Sequence, residues 1–270
     1  MRDFTLETYR SLLQALQQAG YRFVTMKELW EIQQGKSQEK SRCERICCMR
    51  HDVDLCADHS LRTAQIEYEL GVQAVYYFRV IPESNQPDII KGIAALNHEI
   101  GYHYEDMSIC DGDTAKAYEH FCDRLEYFRV YYPVKTICMH GAPTSRYDGR
   151  DLWKKYDYKS LGVVCEPYLD LDYSRLFYLT DTGRRWDGFN VSRRDKIPVW
   201  QDRWVEKGLV FHSTADIISA LSDPSTLLMR EAPAILFTTH PQRWTDDNRE
   251  WWRELLVQTA KNIVKRMLVH

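Results

Sequence analysis

The sequence lacks several features that would assign it to common classes of protein. It contains no run of about 18 apolar residues, which a membrane-spanning helix would need, and neither GxGxxG nor GxxxxGK[ST], which argues against dinucleotide-binding and P-loop folds. The 8 cysteines among 270 residues form no CxxC pair, so a disulfide framework is not expected. Because 36 Lys and Arg residues nearly balance 39 Asp and Glu residues, the net charge of −3 gives no general attraction to nucleic acid or to an anionic membrane.

The first ten residues, MRDFTLETYR, alternate charged and apolar side chains and lack the apolar core of a signal peptide. The composition is also that of a folded chain, with 44% hydrophobic residues and 28% charged residues. We therefore expect a soluble protein that resides in the cytoplasm.

Short apolar runs alternate with amphipathic stretches along most of the chain. The predicted strands are residues 21–24, 46–49, 75–80, 99–103, 136–139, 162–164, 176–179 and 234–239. The predicted helices are residues 6–16, 26–32, 57–70, 88–96, 115–131, 217–221 and 248–268. Repeated strand–helix units imply parallel strands. The fold class is therefore α/β: a single-domain distorted (β/α) barrel of about seven parallel strands over residues 1–270, with a helical lead-in over about 1–42.

Four of the predicted strands end in strings that contain histidine, and two of these strings add carboxylates. The strings are RHDVD at 50–54, GYHYED at 101–106, MHGAP at 139–143 and TTHP at 238–241. In a (β/α) barrel, catalytic side chains come from the carboxyl ends of the strands, which meet at one face. The strings therefore predict a metal site or an acid–base site at that face.

Asp52 and Asp54 are two positions apart, so on a strand their side chains point to the same side. Two carboxylates that close repel each other, which favours a proton or a cation between them. In one interpretation a divalent metal binds one of them; in the other, one of them caps the helix that begins near Ala57. Carboxylate and imidazole ligands together suit Zn²⁺ or another first-row metal better than Ca²⁺.

In this order along the chain, the strings resemble the motifs of the polysaccharide deacetylases of carbohydrate esterase family 4, the NodB-homology fold. The resemblance runs from about residue 47 to residue 244. RHDVD is similar to the first motif and HEIGYH at 98–103 to the second, and HGAP at 140–143 takes the place of the third. DTGRRW at 181–186 resembles the fourth motif, and THP at 239–241 resembles the fifth.

The resemblance implies a role for several of these residues. Asp52 would be the general base, Asp54 and His103 would be metal ligands, and His240 would be the general acid. By analogy, Asp181 would hold the imidazole of His240 charged and oriented. The implied cofactor is a divalent metal, with Zn²⁺ as the first choice and Co, Ni or Fe as alternatives.

Two residues of the family pattern are missing. The second metal histidine would fall at Met107, and His140 stands roughly where the third motif has an arginine that tethers the base. We expect His140 to be the third metal ligand, with Glu105 as the second choice and a metal-free site as the remaining alternative. Three arginines are candidates for replacing the missing one: Arg50, Arg184 and Arg185.

Residues 180–204 are rich in basic side chains, which form either a solvated face or a cleft wall that binds phosphate or carboxylate groups. The basic residues are Arg184, Arg185, Arg193, Arg194, Lys196 and Arg203. Trp186 and Trp244 flank motif residues, so their rings either belong to the core or stack on sugar faces. The candidate substrate-binding residues are Arg184, Arg185, Trp186 and Trp244.

The other histidines are not expected to take part in chemistry. His51 is out of phase with Asp52 and Asp54, and we interpret it as structural, like His98. The other three, His59, His120 and His212, are expected at the surface. Cys138 is most simply a small buried apolar residue.

Together these features predict a metal-dependent hydrolase that removes an N-acetyl group from an N-acetylated sugar. With a cytoplasmic location, its substrate would be a polysaccharide or lipopolysaccharide precursor, such as a nucleotide-linked or lipid-linked sugar. Two alternatives stay open. One is a metal-free amidase-like or deaminase-like hydrolase that acts on a small non-sugar amide, and the other is a carbohydrate-binding protein with a degenerate site.

Overall fold

The computed structural model describes residues 2–36, 45–142, 145–186 and 196–269, with side chains up to residue 263. The strands are β1 (Tyr21–Phe23), β2 (Arg45–Val53), β3 (Val75–Phe78), β4 (Glu99–Tyr104), β5 (Ile137–Met139), β6 (Phe177–Thr180) and β7 (Ala234–Thr239). The helices are α1 (Leu6–Gln18), α2 (Met26–Gln33), α3 (Ala57–Glu69), α4 (Pro87–Ala95), α5 (Asp106–Ile109), α6 (Thr114–Arg129), α7 (Pro167–Asp170), α8 (Pro198–Glu206), α9 (Thr214–Ser222), α10 (Leu227–Glu231) and α11 (Asn248–Val269).

Several helices begin where a polar side chain accepts hydrogen bonds from their first free amide groups. Thr5 accepts from the Thr8 amide at α1, and Asp113 accepts from two amides at α6. Ser213 and Asp216 form a reciprocal capping box at α9. None of the helices in the described part of the chain is both long enough and apolar enough to cross a bilayer.

The seven strands form one curled parallel sheet in the order β5-β4-β3-β2-β7-β6, and β1 also pairs with β2. Strand β2 is the longest: its first half pairs with β1 at Arg45 and its second half pairs with β3 at Asp52. Helices surround the sheet. The predicted α/β class with a distorted (β/α) barrel of about seven parallel strands is confirmed.

One predicted strand, at residues 162–164, is wrong. Gly162 has a φ of 75° and ends a 3₁₀ helix, Tyr158–Leu161. Extended pairing in this stretch is limited to an isolated parallel bridge between Cys165 and Thr136. Val163 and Val164 are β-branched and therefore favour a strand. The left-handed turn at Gly162, just before them, limits the pairing of this stretch to that bridge.

The strands divide their side chains between two faces. On the outer face, Met49, Val53, Phe78 and Phe237 pack with the helices in the larger apolar cluster. On the inner face, Cys48, Tyr77, Cys138, Tyr178 and Leu236 form a second buried cluster. Since side chains alternate along a strand, this register also places Arg50, Asp52 and His103 on the inner face, above that cluster.

The inner face requires glycine at position 101. A Cβ atom on Gly101 would lie 2.2 Å from the ring of Tyr77 and 2.9 Å from the carbonyl oxygen of Thr136. The side chain of Tyr77 occupies the barrel interior beside Gly101, and its hydroxyl donates to the side-chain oxygen of Thr136. The absence of a side chain at Gly101 therefore leaves room for the ring of Tyr77 in the layer of side chains below His103.

Candidate active site

The polar residues predicted from the strand ends converge at the carboxyl-terminal edge of the sheet. Asp52 lies on β2 and Asp54 just after it, His103 lies on β4, and His140 follows β5 directly. The remaining two, Asp181 and His240, follow β6 and β7. Parallel strands end at the same edge, so residues separated by almost 190 positions in the sequence surround one point.

Asp52 is held by a buried arginine on its own strand. The Nε and one terminal nitrogen of Arg50 donate to the two carboxylate oxygens of Asp52, at 2.8 and 2.6 Å. Arg50 is fully buried and Asp52 is 3% exposed. Such a bidentate pair fixes the plane of the carboxylate. Arg50, one of the three arginines considered as the tether of the base, therefore contacts Asp52 directly.

Asp54, His103 and His140 form a group whose ligand atoms all lie within 4.8 Å of one another. Asp54 Oδ1 lies 3.6 Å from His103 Nε2 and 3.4 Å from His140 Nε2. Within the described residues this buried oxygen makes no hydrogen bond. Buried carboxylate oxygens normally have a partner, so the donor set fits a divalent cation with one oxygen and two nitrogen ligands.

The charge state of Asp54 agrees with that donor set. Burial would raise the pKa of Asp54, but the imidazoles of His140, His103 and His240 hold the pKa well below its usual range. The carboxylate is therefore ionised at neutral pH, as a metal ligand must be.

Each of the three imidazoles donates through Nδ1 to an acceptor behind it. His103 donates to the carbonyl oxygen of Cys138 at 2.9 Å, and His140 donates to Glu105 at 2.9 Å. His240 donates to Asp181 at 2.6 Å. Because these acceptors carry no proton to give, Nδ1 must hold the hydrogen, and Nε2 of each ring faces Asp54.

Asp181 is the centre of a fully buried group behind His240. Its two oxygens accept from His240 Nδ1, the His240 amide at 3.0 Å and the Trp244 indole at 2.9 Å, as well as from Arg243. Burial would raise the pKa of Asp181, but Arg243 and His240 lower it to about 2. The carboxylate therefore stays ionised and fixes the ring of His240.

No family model and no curated protein matches the chain. Solved structures that match include the Streptococcus pyogenes deacetylase PplD in complex with acetate, at 13% identity over 57% of this chain and 69% of that one, with a TM-score of 0.41. Wild-type BA3943, a CE4 family pseudoenzyme from Bacillus anthracis, matches at 11% identity over 87% and 77%, with a TM-score of 0.37. A BA3943 mutant with restored enzymatic activity matches at 12% over 80% and 63%, with a TM-score of 0.38. BA3943 belongs to the family whose motifs this sequence resembles.

Three of the candidate substrate-binding residues are wrong for that role. Trp186 is 2% exposed and Trp244 fully buried, and both indole nitrogens are used internally, by Thr214 and Asp181 respectively. Arg184 is 8% exposed. Its guanidinium lies over the rings of Phe4 and Trp251, 5.0 and 4.6 Å from their centroids. Phe4 packs against all three side chains, which places them in the packing of the protein interior.

The rest of the basic stretch remains a prediction. Arg185 is partly exposed and keeps its candidate role, whereas Arg193 and Arg194 lie outside the described residues. Tyr168 is an aromatic residue that lies beside Arg50, the partner of Asp52. Its hydroxyl is 3.2 Å from Arg50, and its centroid is 5.0 Å from the Arg50 guanidinium.

Several secondary expectations need correction. His59 was expected at the surface but is 4% exposed. His120 was also expected there and is 29% exposed, while it donates to the buried carboxylate of Asp106 at 2.5 Å. Neither aspartate of RHDVD caps α3, because the residue before that helix is Cys56 and no side chain caps it. The side chain of Met107, on α5, is 5% exposed and packs in the apolar core.

Two arginines that hold the site together were missed from the sequence. Arg79 follows β3 and donates to Glu105, and Arg243 follows β7 and donates to Asp181. A signal existed for Arg243, since it lies three residues after His240 at a strand end already considered functional. Arg79 had no such signal, because β3 ends without histidine or carboxylate.

The lowered pKa of Asp181 predicts an acid-dependent loss of stability. A carboxyl group with a folded pKa of about 2 and an unfolded pKa of about 3.9 stabilises the fold above the unfolded value, by about 3 kcal/mol, and loses that contribution as the pH falls towards 2. The free energy of unfolding of wild type minus that of Asp181→Asn should therefore shrink as the pH is lowered from about 5 towards 2. Urea titrations at several pH values measure it, and a pH-independent difference would contradict the assignment.

Proposed function

We propose that the protein is a metal-dependent hydrolase of carbon–nitrogen amide bonds that removes an N-acetyl group from an N-acetylated sugar. The observation that carries the proposal is the arrangement of a candidate ligand set, a candidate base and a candidate acid around one point. A three-residue metal ligand set lies between an arginine-tethered carboxylate and an aspartate-oriented imidazole. Amide hydrolysis needs a cation, a base for water and an acid for the leaving amine, and these groups provide all three.

The proposed ligands are Asp54, His103 and His140, with Zn²⁺ as the first choice and Co, Ni or Fe as alternatives. When bound, the divalent metal would supply Lewis-acid polarisation of the amide carbonyl and a lower pKa for water in the site. Two imidazoles and one carboxylate leave positions open for water and substrate, as in other catalytic zinc sites.

The residues around the ligands would handle the protons. Asp52 lies 3.7 Å from His103 Nε2, close enough to accept a proton from a water held beside the ligands. Arg50 keeps the carboxylate aimed at that position. On the other side, His240 would donate a proton from Nε2, which lies 3.8 Å from Asp54, to the leaving amine. Acetate and a free amino sugar would be the products.

We propose an N-acetylated sugar as the substrate, and Arg185 as a contact to a phosphate or carboxylate on it, as in a nucleotide-linked or lipid-linked precursor. Activity should then be higher on N-acetyl sugar diphosphate conjugates than on uncharged N-acetyl oligosaccharides. Equal activity on both would contradict the charged substrate, and activity confined to small non-sugar amides would favour the amidase alternative.

The ligand set predicts which substitutions release the metal. Purified wild-type protein should contain near-stoichiometric Zn, Co, Ni or Fe by mass spectrometry, and Asp54→Ala and His140→Ala should both lose it. Asp58→Ala is a suitable control, because this side chain is 53% exposed and pairs with Arg62 on the surface. Loss in Asp54→Ala alone would move the third ligand away from His140, and no metal after reconstitution would contradict a metal-dependent mechanism.

A further inference from the structure

Behind His140 lies a charged pair that the reaction as proposed does not use. Glu105 follows β4 and its side chain is 9% exposed. One of its oxygens, Oε2, accepts from His140 Nδ1 at 2.9 Å. Arg79 donates to both oxygens of the same carboxylate, from Nε at 2.7 Å and from a terminal nitrogen at 2.9 Å.

Arg79 also reaches the loop that carries Asp54. Its second terminal nitrogen lies 3.4 Å from the carbonyl oxygen of Asp54. Arg79 follows β3, so its guanidinium links the end of this strand to the ends of β2 and β4. Through Glu105, it is also linked to His140 at the end of β5. Two of the three proposed ligands, Asp54 and His140, are connected through this one side chain.

We propose that Glu105 and Arg79 are positioning residues that set the tautomer and ring orientation of His140 and thereby the affinity of the site for its metal. The inference rests on the proposed function, since it takes His140 as a ligand. It explains how a ligand set can form in a chain whose residue 107 is a buried methionine. The third ligand comes from the end of another strand, and a carboxylate orients it.

The geometry also indicates that Glu105 orients a metal ligand and is not a metal ligand itself. Both of its oxygens are engaged, one by Arg79 alone and the other by Arg79 and His140. A carboxylate held on both oxygens by a guanidinium cannot turn into the site without breaking a bidentate pair. In contrast, a carboxylate behind a ligating histidine is a recurrent arrangement that raises the basicity of the ligand and fixes its angle.

The test measures metal binding rather than turnover. Metal-free wild-type protein, Glu105→Ala, Glu105→Gln and Arg79→Met are titrated with Co²⁺ and with Zn²⁺ at constant pH, and the visible d–d bands of the Co²⁺ protein are recorded. Glu105→Ala should bind about 10–100-fold more weakly, with altered d–d bands. Glu105→Gln should recover part of the affinity, because it keeps an acceptor for Nδ1. Arg79→Met should lie between Glu105→Ala and wild type.

Glu69→Ala is the matched control, because Arg10 and Glu69 form a pair at the surface, with side chains 38% and 58% exposed. It should bind metal like wild type. If Glu105→Ala keeps wild-type affinity and spectrum while His140→Ala loses the metal, the positioning role is wrong and the proposed ligand set stands. If wild type binds neither cation, or His140→Ala binds as tightly as wild type, the ligand set itself fails and the positioning role falls with it.

Discussion

Replacing Asp52 with asparagine is expected to lower kcat by about 10²–10⁴-fold, the usual contribution of a general base, while the metal content stays that of wild type. Asparagine keeps the shape of the side chain and an oxygen that can accept from Arg50, but it cannot take a proton from water. Asp52 is not among the proposed ligands, so the metal should remain. Turnover of an N-acetylated sugar substrate and metal analysis of the same preparation measure the two quantities.

Two controls separate this loss of activity from a loss of structure. Arg50 is fully buried, and a buried charge that loses its partner destabilises a protein by about 3–5 kcal/mol, so thermal unfolding of Asp52→Asn must be measured beside its activity. Asp58→Asn makes the same chemical change at an exposed position and should leave kcat unchanged. A folded, metal-containing Asp52→Asn protein with wild-type kcat would remove Asp52 from the role of base.

The strand–helix alternation made most of the fold predictable from the sequence. Strands β3 and β7 carry continuous apolar or β-branched runs, and β2 has such a run at residues 46–49; strands with both faces buried show this pattern. The strand predicted at residues 162–164 failed because propensity does not reveal the left-handed turn at Gly162, which limits the pairing of this stretch to one bridge. The fully buried neighbours of Gly101 could not be predicted either, since they depend on the sheet register.

The strand-end positions of the candidate site residues could be predicted, but many of the residues that contact them could not. Asp52, Asp54, His103, His140 and His240 stand at strand ends, and strand ends are visible in the sequence. Arg79 lies at a strand end without a distinctive string, and its partner Glu105 belongs to a different strand. The prediction that Trp186 and Trp244 contact the substrate was wrong. A residue next to a motif in the sequence can pack its ring on either side of the chain.

A second part of the structure that the sequence did not reveal lies on the outer face of β2, behind Asp52. Glu67, on α3, is fully buried. Its carboxylate accepts from His51 Nε2 at 2.7 Å, Tyr9 at 2.5 Å and Tyr76 at 2.6 Å. His51 also bonds Thr239 on β7 through Nδ1 at 2.7 Å. This network joins α1, α3, β2, β3 and β7, so it fixes the strand from which Asp52 projects.

Glu67→Ala should therefore lower the free energy of unfolding by about 3–5 kcal/mol, because it leaves an imidazole and two hydroxyl groups buried without their acceptor. Urea unfolding followed by circular dichroism measures the change. Glu69→Ala, two residues away on α3, is the matched control. Its exposed pair with Arg10 should contribute less than about 1 kcal/mol. If Glu67→Ala costs no more than the control, the network does not stabilise the fold, and the position of β2 must then be set by the apolar packing of Met49 and Val53 alone.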